Sequence, residues 1–107
     1  MATNLAGRYF TINENGNRTY ISAMQFTDLR RGRDIVEWIS PGAKAIFTTF
    51  LPREKRLHMI LILPDSELHH VYLGVRPNDW VIKTDSGNSF VLNDEAFKLA
   101  YSEGEDA

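Results

Sequence analysis

The stretch VRPNDWVIKTDSGNSFVL, residues 75–92, decides the fold. It contains two strand-like runs, residues 79–84 and 89–92, and each follows a turn signal, PN at 77–78 or DSG at 85–87. Short runs rich in β-branched and aromatic residues between such signals predict strands joined by tight turns. The stretch therefore predicts consecutive strands that pair antiparallel.

Similar runs predict strands on the N-terminal side of this stretch, at residues 9–12, 18–26, 44–51, 56–63 and 68–75. The first is short, which predicts an edge strand. The second is apolar on both faces, which indicates a central place in its sheet. The third and fourth are joined by a short polar connection and predict a hairpin. In the fourth, alternation puts leucines and Met59 on one face and His58, Ile60 and Ile62 on the other.

Two helices are predicted by capping residues and helical spacing. Asp28 offers a capping side chain, apolar residues recur at i, i+3 and i+4 from Ile35, and Pro41 ends the pattern. Asn93 opens a second helix, whose buried face begins at Phe97 and ends at Tyr101.

The fold class predicted from these elements is α+β, with a mostly antiparallel curled sheet (a half-barrel) of about six strands and two helices packed on it. Residues 1–17 are predicted to be an N-terminal turn and edge segment. Residues 18–103 are predicted to be a single domain, and residues 104–107 an acidic tail.

Composition excludes several classes of protein. The chain has 107 residues, 43% apolar and 24% charged, with a net charge of −2, which is typical of a soluble globular domain. No apolar run approaches the roughly 20 residues that span a bilayer, and the N-terminus does not resemble a signal peptide. The sequence has no cysteine, so neither disulfides nor thiolate metal sites are expected. These features predict a cytoplasmic protein without a membrane partner.

Two blocks of sequence resemble a known family. YISAMQFT at 20–27 is followed by DIVEWI at 34–39, and the chain closes with VRPNDWVI at 75–82 and then Phe97 and Tyr101. This order resembles small bacteriophage and prophage proteins that open with V-I-E-A-M-Q-F-T and close with P-G-D-W-I-I, G-E-x-Y, and Phe and Tyr four apart. The resemblance covers roughly residues 18–101, and the family has no assigned chemistry. It implies a phage accessory protein that acts in the cytoplasm of the infected bacterial host.

The chain departs from the family pattern at three places. Asn78 stands where the family has glycine before Asp-Trp, and asparagine is the residue that best replaces glycine in a left-handed backbone. Ser22 stands where the family often has glutamate, and the family's glutamate after the second glycine is replaced around Asn88 and Ser89. Any role of those acids is therefore not expected here.

The pair Asp79-Trp80 permits two interpretations. It forms either a ligand platform, with an indole for stacking beside a carboxylate, or a structural corner. In the second interpretation Asp79 bonds backbone N–H groups of the turn and Trp80 fills the core. A metal site at His58, His69 and His70 is not expected, because adjacent histidines on a strand point to opposite faces. No nucleophile-base motif, Gly-rich phosphate loop or metalloprotease motif is visible, so neither catalysis nor a cofactor is expected.

The leading hypothesis is a non-catalytic protein that binds a host or phage macromolecule, most simply a protein, and inhibits or modulates a host process. The expected anchors are exposed arginine and aromatic side chains. They are Arg30, Arg31, Arg33, His70, Tyr72 and Arg76.

Three further hypotheses stay open. The first is a small-molecule or nucleotide binder with a pocket around Trp80, Lys83 and Tyr72. The second is a nucleic-acid-binding module that uses the helix start from Arg30 to Arg33, although acidic residues interleave there. The third is homodimerisation through the edge strands predicted at residues 68–75 and 9–12.

Overall fold

The computed structural model describes residues 6–49, 57–64 and 69–103, which form eight strands and two helices. In chain order, these elements are β1 (Gly7–Ile12), β2 (Arg18–Gln25), α1 (Leu29–Ile39), β3 (Lys44–Thr48), β4 (His58–Pro64), β5 (His70–Val75), β6 (Trp80–Thr84), β7 (Ser89–Leu92), α2 (Asp94–Ala100) and β8 (Ser102–Glu103). The predicted tail, residues 104–107, and the predicted loop between β3 and β4 lie outside the described residues.

The strands form two antiparallel sheets. One has five strands in the order β7-β6-β2-β1-β8, and the other has three in the order β3-β4-β5. The predicted α+β class with antiparallel pairing is confirmed. The curled sheet is divided, because β5 and β7 lie beside each other without a hydrogen-bonded ladder in the described chain. The two sheets therefore do not close into a barrel.

Strand β2 is the centre of the five-stranded sheet, as its two apolar faces predict. On one face, Met24 joins a core that also contains Ile35 of α1 and Leu61 of β4. On the other face, Ile21 and Ala23 join a second core under α2. The five-stranded sheet is thus covered on both sides, and the three-stranded sheet uses one face for the first core.

Strand β1 is predicted to be an edge strand, but it has a hydrogen-bonded neighbour on each side. β1 pairs with β2 along six residues and with β8 on its other side, where Tyr9 lies opposite Glu103 and Phe10 opposite Ser102. Strand β8 exists because α2 ends at Ala100 and the backbone of Tyr101 is extended. Tyr101 is therefore a cap residue rather than a member of the helix. The prediction of an open edge at β1 is wrong over these two residues, whereas β5 is an edge of its sheet as predicted.

Helix α1 begins at Leu29 because the Asp28 carboxylate accepts a hydrogen bond of 2.8 Å from the backbone N–H of Arg31. Gly32 lies inside this helix and is buried. In α2, Asn93 caps the first turn by accepting from the N–H of Ala96 at 2.7 Å. The two helices have 11 and 7 residues, and neither is long and apolar enough to cross a membrane.

The corner between β5 and β6 is built as its sequence predicts. Asn78 has a φ of +73°, the left-handed conformation that asparagine tolerates. The Asp79 carboxylate accepts a hydrogen bond of 2.9 Å from the backbone N–H of Arg76, and the Asn78 N–H donates to the Phe26 carbonyl at 2.7 Å. The corner therefore joins the end of β2 and directs the chain into β6.

Candidate functional site

The three-stranded sheet has one face turned away from the core, called the outer face below. The other face buries Met59, Leu61 and Val75 in the first core. Successive residues alternate between the two faces, so every second residue of the three strands belongs to the outer face. They are Lys44, Ile46, Thr48, His58, Ile60, Ile62, Pro64, His70, Tyr72 and Gly74.

Large apolar side chains of the outer face lie in two adjacent rows across the strands. Ile46 pairs with Ile60, which pairs with Gly74, and the next row contains Ile62 beside Tyr72. Ile46 is 52% exposed, Ile60 37% and Tyr72 66%. A contiguous exposed apolar patch on a folded domain marks an interaction surface more often than isolated exposed residues do. The outer face is therefore the strongest candidate for a binding surface in the described chain.

A cleft of about 250 Å³ opens at one end of the outer face. Gly74 lies at this end, and a Cβ built on it would have no atom within 4 Å. The missing side chain leaves a depression beside Ile60. The other side chains that contribute to the cleft walls include Thr48, His58, Arg76 and Asp79.

The described charged residues at the outer face are two cations and one anion. The described residues of β3, β4 and β5 include no aspartate or glutamate, whereas Lys44 lies in β3 and Arg76 directly follows β5. Asp79, which also lines the cleft, uses one carboxylate oxygen to hold the turn through the N–H of Arg76. The patch is therefore apolar, and its described charges (Lys44, Arg76 and Asp79) sum to +1 on a chain whose net charge is −2.

Three of the predicted binding residues meet on this surface. His70 and Tyr72 are exposed and share the outer face with Gly74, and Arg76 lies two residues further along the same alternation. The structure thus assembles one part of the predicted set, on an edge strand with an unpaired side in the described residues.

Trp80 belongs to a different, internal cluster. Its ring stacks on Phe97 of α2 at a centroid distance of 4.1 Å, and Tyr9 contacts both rings edge-on. The indole N–H donates to the Asp94 carboxylate at 2.9 Å. Together with the bonding of Asp79 in the turn, this geometry matches the structural interpretation of the Asp79-Trp80 pair.

The predicted pocket around Trp80, Lys83 and Tyr72 is not assembled. Trp80 and Lys83 are three apart on β6, so they point to opposite faces of the sheet. The Lys83 Nζ lies 6.0 Å from the ring centroid of Trp38 in α1, and Tyr72 belongs to the other sheet. The prediction of one site from these three residues is therefore wrong.

A smaller cleft, of about 200 Å³, does border Trp80. It lies where β1 begins and β2 ends, and Arg31 and Tyr9 also line it. Arg31 is half-buried, whereas Arg30 and Arg33 are exposed on α1. The three arginines predicted as one set therefore do not present one uniform surface.

Two ionisable groups near this smaller cleft have shifted pKa values. Hydrogen bonds from Trp80 and Lys98, with the Lys98 charge, lower the pKa of Asp94 below its usual 3.8 despite an opposing effect of burial. Burial, with the nearby Glu103 charge, raises the pKa of Tyr9 above 10.0. Both groups stay in their ordinary charge states at neutral pH, which is consistent with a packing role.

His58 and His70 lie on neighbouring strands, whereas His69 precedes β5. Among the residues that the structure describes, no group of three or more histidine and acidic side chains could hold a metal ion.

Ile46, Ile60, Ile62 and Gly74 are missing from the predicted set of binding residues. A signal for them was present, because β4 is apolar on both faces while the described residues contain two helices that could cover a sheet. The five-stranded sheet takes one helix on each side. Within the described parts of the chain, one face of the other sheet is therefore left without a covering helix.

Comparisons with known proteins found no match to this chain. No family model matches the chain, and neither a curated protein nor a solved structure matches it. The resemblance to small phage proteins, carried by residues 20–39 and 75–101, therefore stays a prediction.

Proposed function

We propose that this protein is a non-catalytic, phage-encoded accessory protein of the infected bacterial cytoplasm that binds a host or phage protein through its outer face. The observation that carries the proposal is the exposed apolar pair Ile46 and Ile60 with Tyr72 beside it. Binding to a host protein would serve to inhibit or modulate a host process. Phage origin rests on the sequence resemblance described above.

The composition of the outer face supports a protein partner. Protein interfaces are enriched in aromatic residues and arginine at their cores, and tyrosine and arginine are frequent hot spots. Tyr72 and Arg76 supply both types, and the isoleucines supply flat apolar area between them. The paired strands fix the backbone from which Ile46, Ile60 and Tyr72 project, so little backbone conformational entropy is lost when a partner binds.

The test is capture of a partner from bacterial lysate by the purified wild-type chain and by the variants Ile46→Thr and Tyr72→Thr. Threonine is β-branched and is readily accepted in strands, so the fold should survive both changes while apolar contact is lost. We expect a stoichiometric partner for the wild type and at least about tenfold weaker binding for each variant, the loss typical of a hot-spot residue.

The matched control is Ile12→Thr. Ile12 is 62% exposed on β1 of the other sheet, so the same chemical change is made away from the outer face. Circular dichroism and melting temperature must match between the variants and the wild type. Absence of a stoichiometric partner, or equal loss with Ile12→Thr, contradicts the proposal.

A homodimer that uses the same surface gives a different result. Size-exclusion chromatography with light scattering would then show a dimer that Ile46→Thr dissociates in the absence of any other protein. In that case the partner of the outer face is a second copy of the chain and not another host or phage protein.

The cleft beside Trp80 favours a second candidate function, the binding of a small anionic ligand such as a nucleotide. Arg31 offers a cation and Trp80 an aromatic ring to the same cavity of about 200 Å³. A thermal-shift panel of nucleotides should then raise the melting temperature of the wild type but not of Arg31→Ala. A flat panel rejects this candidate.

A further inference from the structure

We propose that the cleft above Gly74 is a socket for one large apolar side chain of the partner, and that Arg76 binds a carboxylate next to that side chain. The partner segment is therefore acidic and carries an aromatic or large aliphatic anchor. This inference rests on the proposed use of the outer face as a protein interface.

Gly74 creates the socket by lacking a side chain. It lies on β5 opposite Ile60, in the row that begins with Ile46. Every other strand position in that row carries isoleucine, and the position of the absent Cβ has no atom within 4 Å. Glycine weakens a strand interior and marks places where another group approaches closely. Here the space stays empty within the described chain.

The size of the cleft suits a ring or a branched aliphatic group. Its volume is about 250 Å³, whereas roughly 150 Å³ is enough to hold benzene in an engineered apolar cavity. The apolar residues that line it include Ile60 and Val75, and Gly74 lines it without a side chain. A single anchor side chain in such a pocket is the usual form of a binding hot spot.

The charge beside the socket indicates which kind of partner residue should lie next to that anchor. Arg76 lines the cleft, and a guanidinium binds a carboxylate through two parallel hydrogen bonds. Asp79 also lines the cleft, and its Oδ2 already accepts from the Arg76 backbone N–H. Lys44 lies at the far side of the patch and adds a second positive charge.

The same charges disfavour two other occupants. A second copy of the outer face carries the same excess of positive charge from Arg76 and Lys44, and like charges across an interface oppose binding. Nucleic acid needs several cations that follow a phosphate chain, whereas this surface is apolar between two of them. An acidic peptide segment with one apolar anchor matches both the charge and the cavity.

The test uses synthetic nine-residue peptide pools with a fluorescent label and measures binding by anisotropy. The first pool has a central Phe or Leu flanked by Asp and Glu. The second replaces the acids with Lys and Arg, and the third replaces the central residue with Ala. We expect at least tenfold tighter binding of the first pool than of either other pool. Equal binding of all three, or no binding of the first, overturns the inference.

Two variants locate the binding. Gly74→Val fills the socket without strain, because Gly74 is not in the left-handed region and valine suits a strand. It should reduce binding of the first pool at least tenfold while the melting temperature holds or rises. Arg76→Glu should shift the preference toward the basic pool. Thr19→Val, on an exposed strand position of the other sheet, should change nothing.

The outcomes separate this inference from the proposed function. If Tyr72→Thr and Ile46→Thr abolish capture of a protein but Gly74→Val and Arg76→Glu bind that protein as the wild type does, the outer face is the interface and the socket is rejected. If none of the four variants affects capture, both proposals are rejected.

Discussion

Helix α1 approaches the first core so closely that only glycine fits at position 32. A Cβ added to Gly32 would lie 2.5 Å from Phe47 Cε1 and 2.9 Å from Phe26 Cε1. Carbon atoms in contact normally sit about 3.5–4.0 Å apart. Gly32→Ala therefore requires a displacement of about 1 Å by the Phe47 ring, or an equivalent shift of the whole helix.

Two opposing effects determine how Gly32→Ala changes the free energy of unfolding. Alanine stabilises a helix interior by about 1 kcal/mol relative to glycine. Extra atoms in a packed core cost about 1–3 kcal/mol. Phe47 is partly exposed and can move outward, but Phe26 is only 1% exposed and is enclosed by the core. We therefore expect a net loss of about 1–2 kcal/mol, which lowers the melting temperature of a domain of this size by roughly 4–10 °C.

Urea denaturation followed by circular dichroism measures this change directly. Arg33→Ala is the control, because Arg33 is exposed on the same helix and its loss should change stability by no more than about 0.5 kcal/mol. Combining Gly32→Ala with Phe47→Leu should cost less than the sum of the two single changes, since the smaller side chain relieves the overlap. A Gly32→Ala variant as stable as the wild type would refute the close approach of α1.

Three further predictions concern the corner and the helix ends. Asn78→Gly should leave stability within about 0.5 kcal/mol of the wild type, whereas Asn78→Ala should cost about 1 kcal/mol because alanine resists a positive φ; equal urea midpoints for the two variants would contradict the backbone assignment. The lowered pKa of Asp94 means that its ionised form stabilises the fold fully above about pH 4, with the effect lost as pH falls through the folded-state pKa. The stability advantage of the wild type over Asp94→Asn should therefore shrink between pH 6 and pH 3, and an advantage that grows on acidification would show the opposite linkage. Ser40 Oγ is buried without a hydrogen-bond partner among the described residues, so Ser40→Ala should be neutral or stabilising by up to about 1 kcal/mol in thermal melts; a clear loss would reveal a partner for that hydroxyl.

Local signals predicted much of the fold. The asparagine that replaces glycine at position 78 indicated a left-handed residue, and Asp28 and Asn93 indicated helix starts. These features depend on a few adjacent residues, whose backbone preferences and side-chain hydrogen bonds act within one turn. The two apolar faces of β2 likewise indicated its central place before any pairing was known.

Contacts between residues that are far apart in the sequence were harder to predict. The pairing of Phe10 with Ser102 joins residues near opposite ends of the chain. A two-residue strand is too short to show an alternating pattern, so the sequence did not predict this pairing. Likewise, the assignment of Trp80, Lys83 and Tyr72 to one pocket in the mouth of the curled sheet conflicts with the three-residue spacing of Trp80 and Lys83 on β6. The alternation rule alone was sufficient to correct that assignment.

For the outer face, the sequence determined which side chains lie together, because alternation along each strand places Ile60 and Ile62 opposite Met59 and Leu61. It did not determine which of the two sets is buried, since both are apolar. The tertiary structure decided this when α1 and the five-stranded sheet covered one face and left Ile46, Ile60 and Tyr72 exposed. Burial depends on which elements pack against each other, a property of the whole chain rather than of any strand.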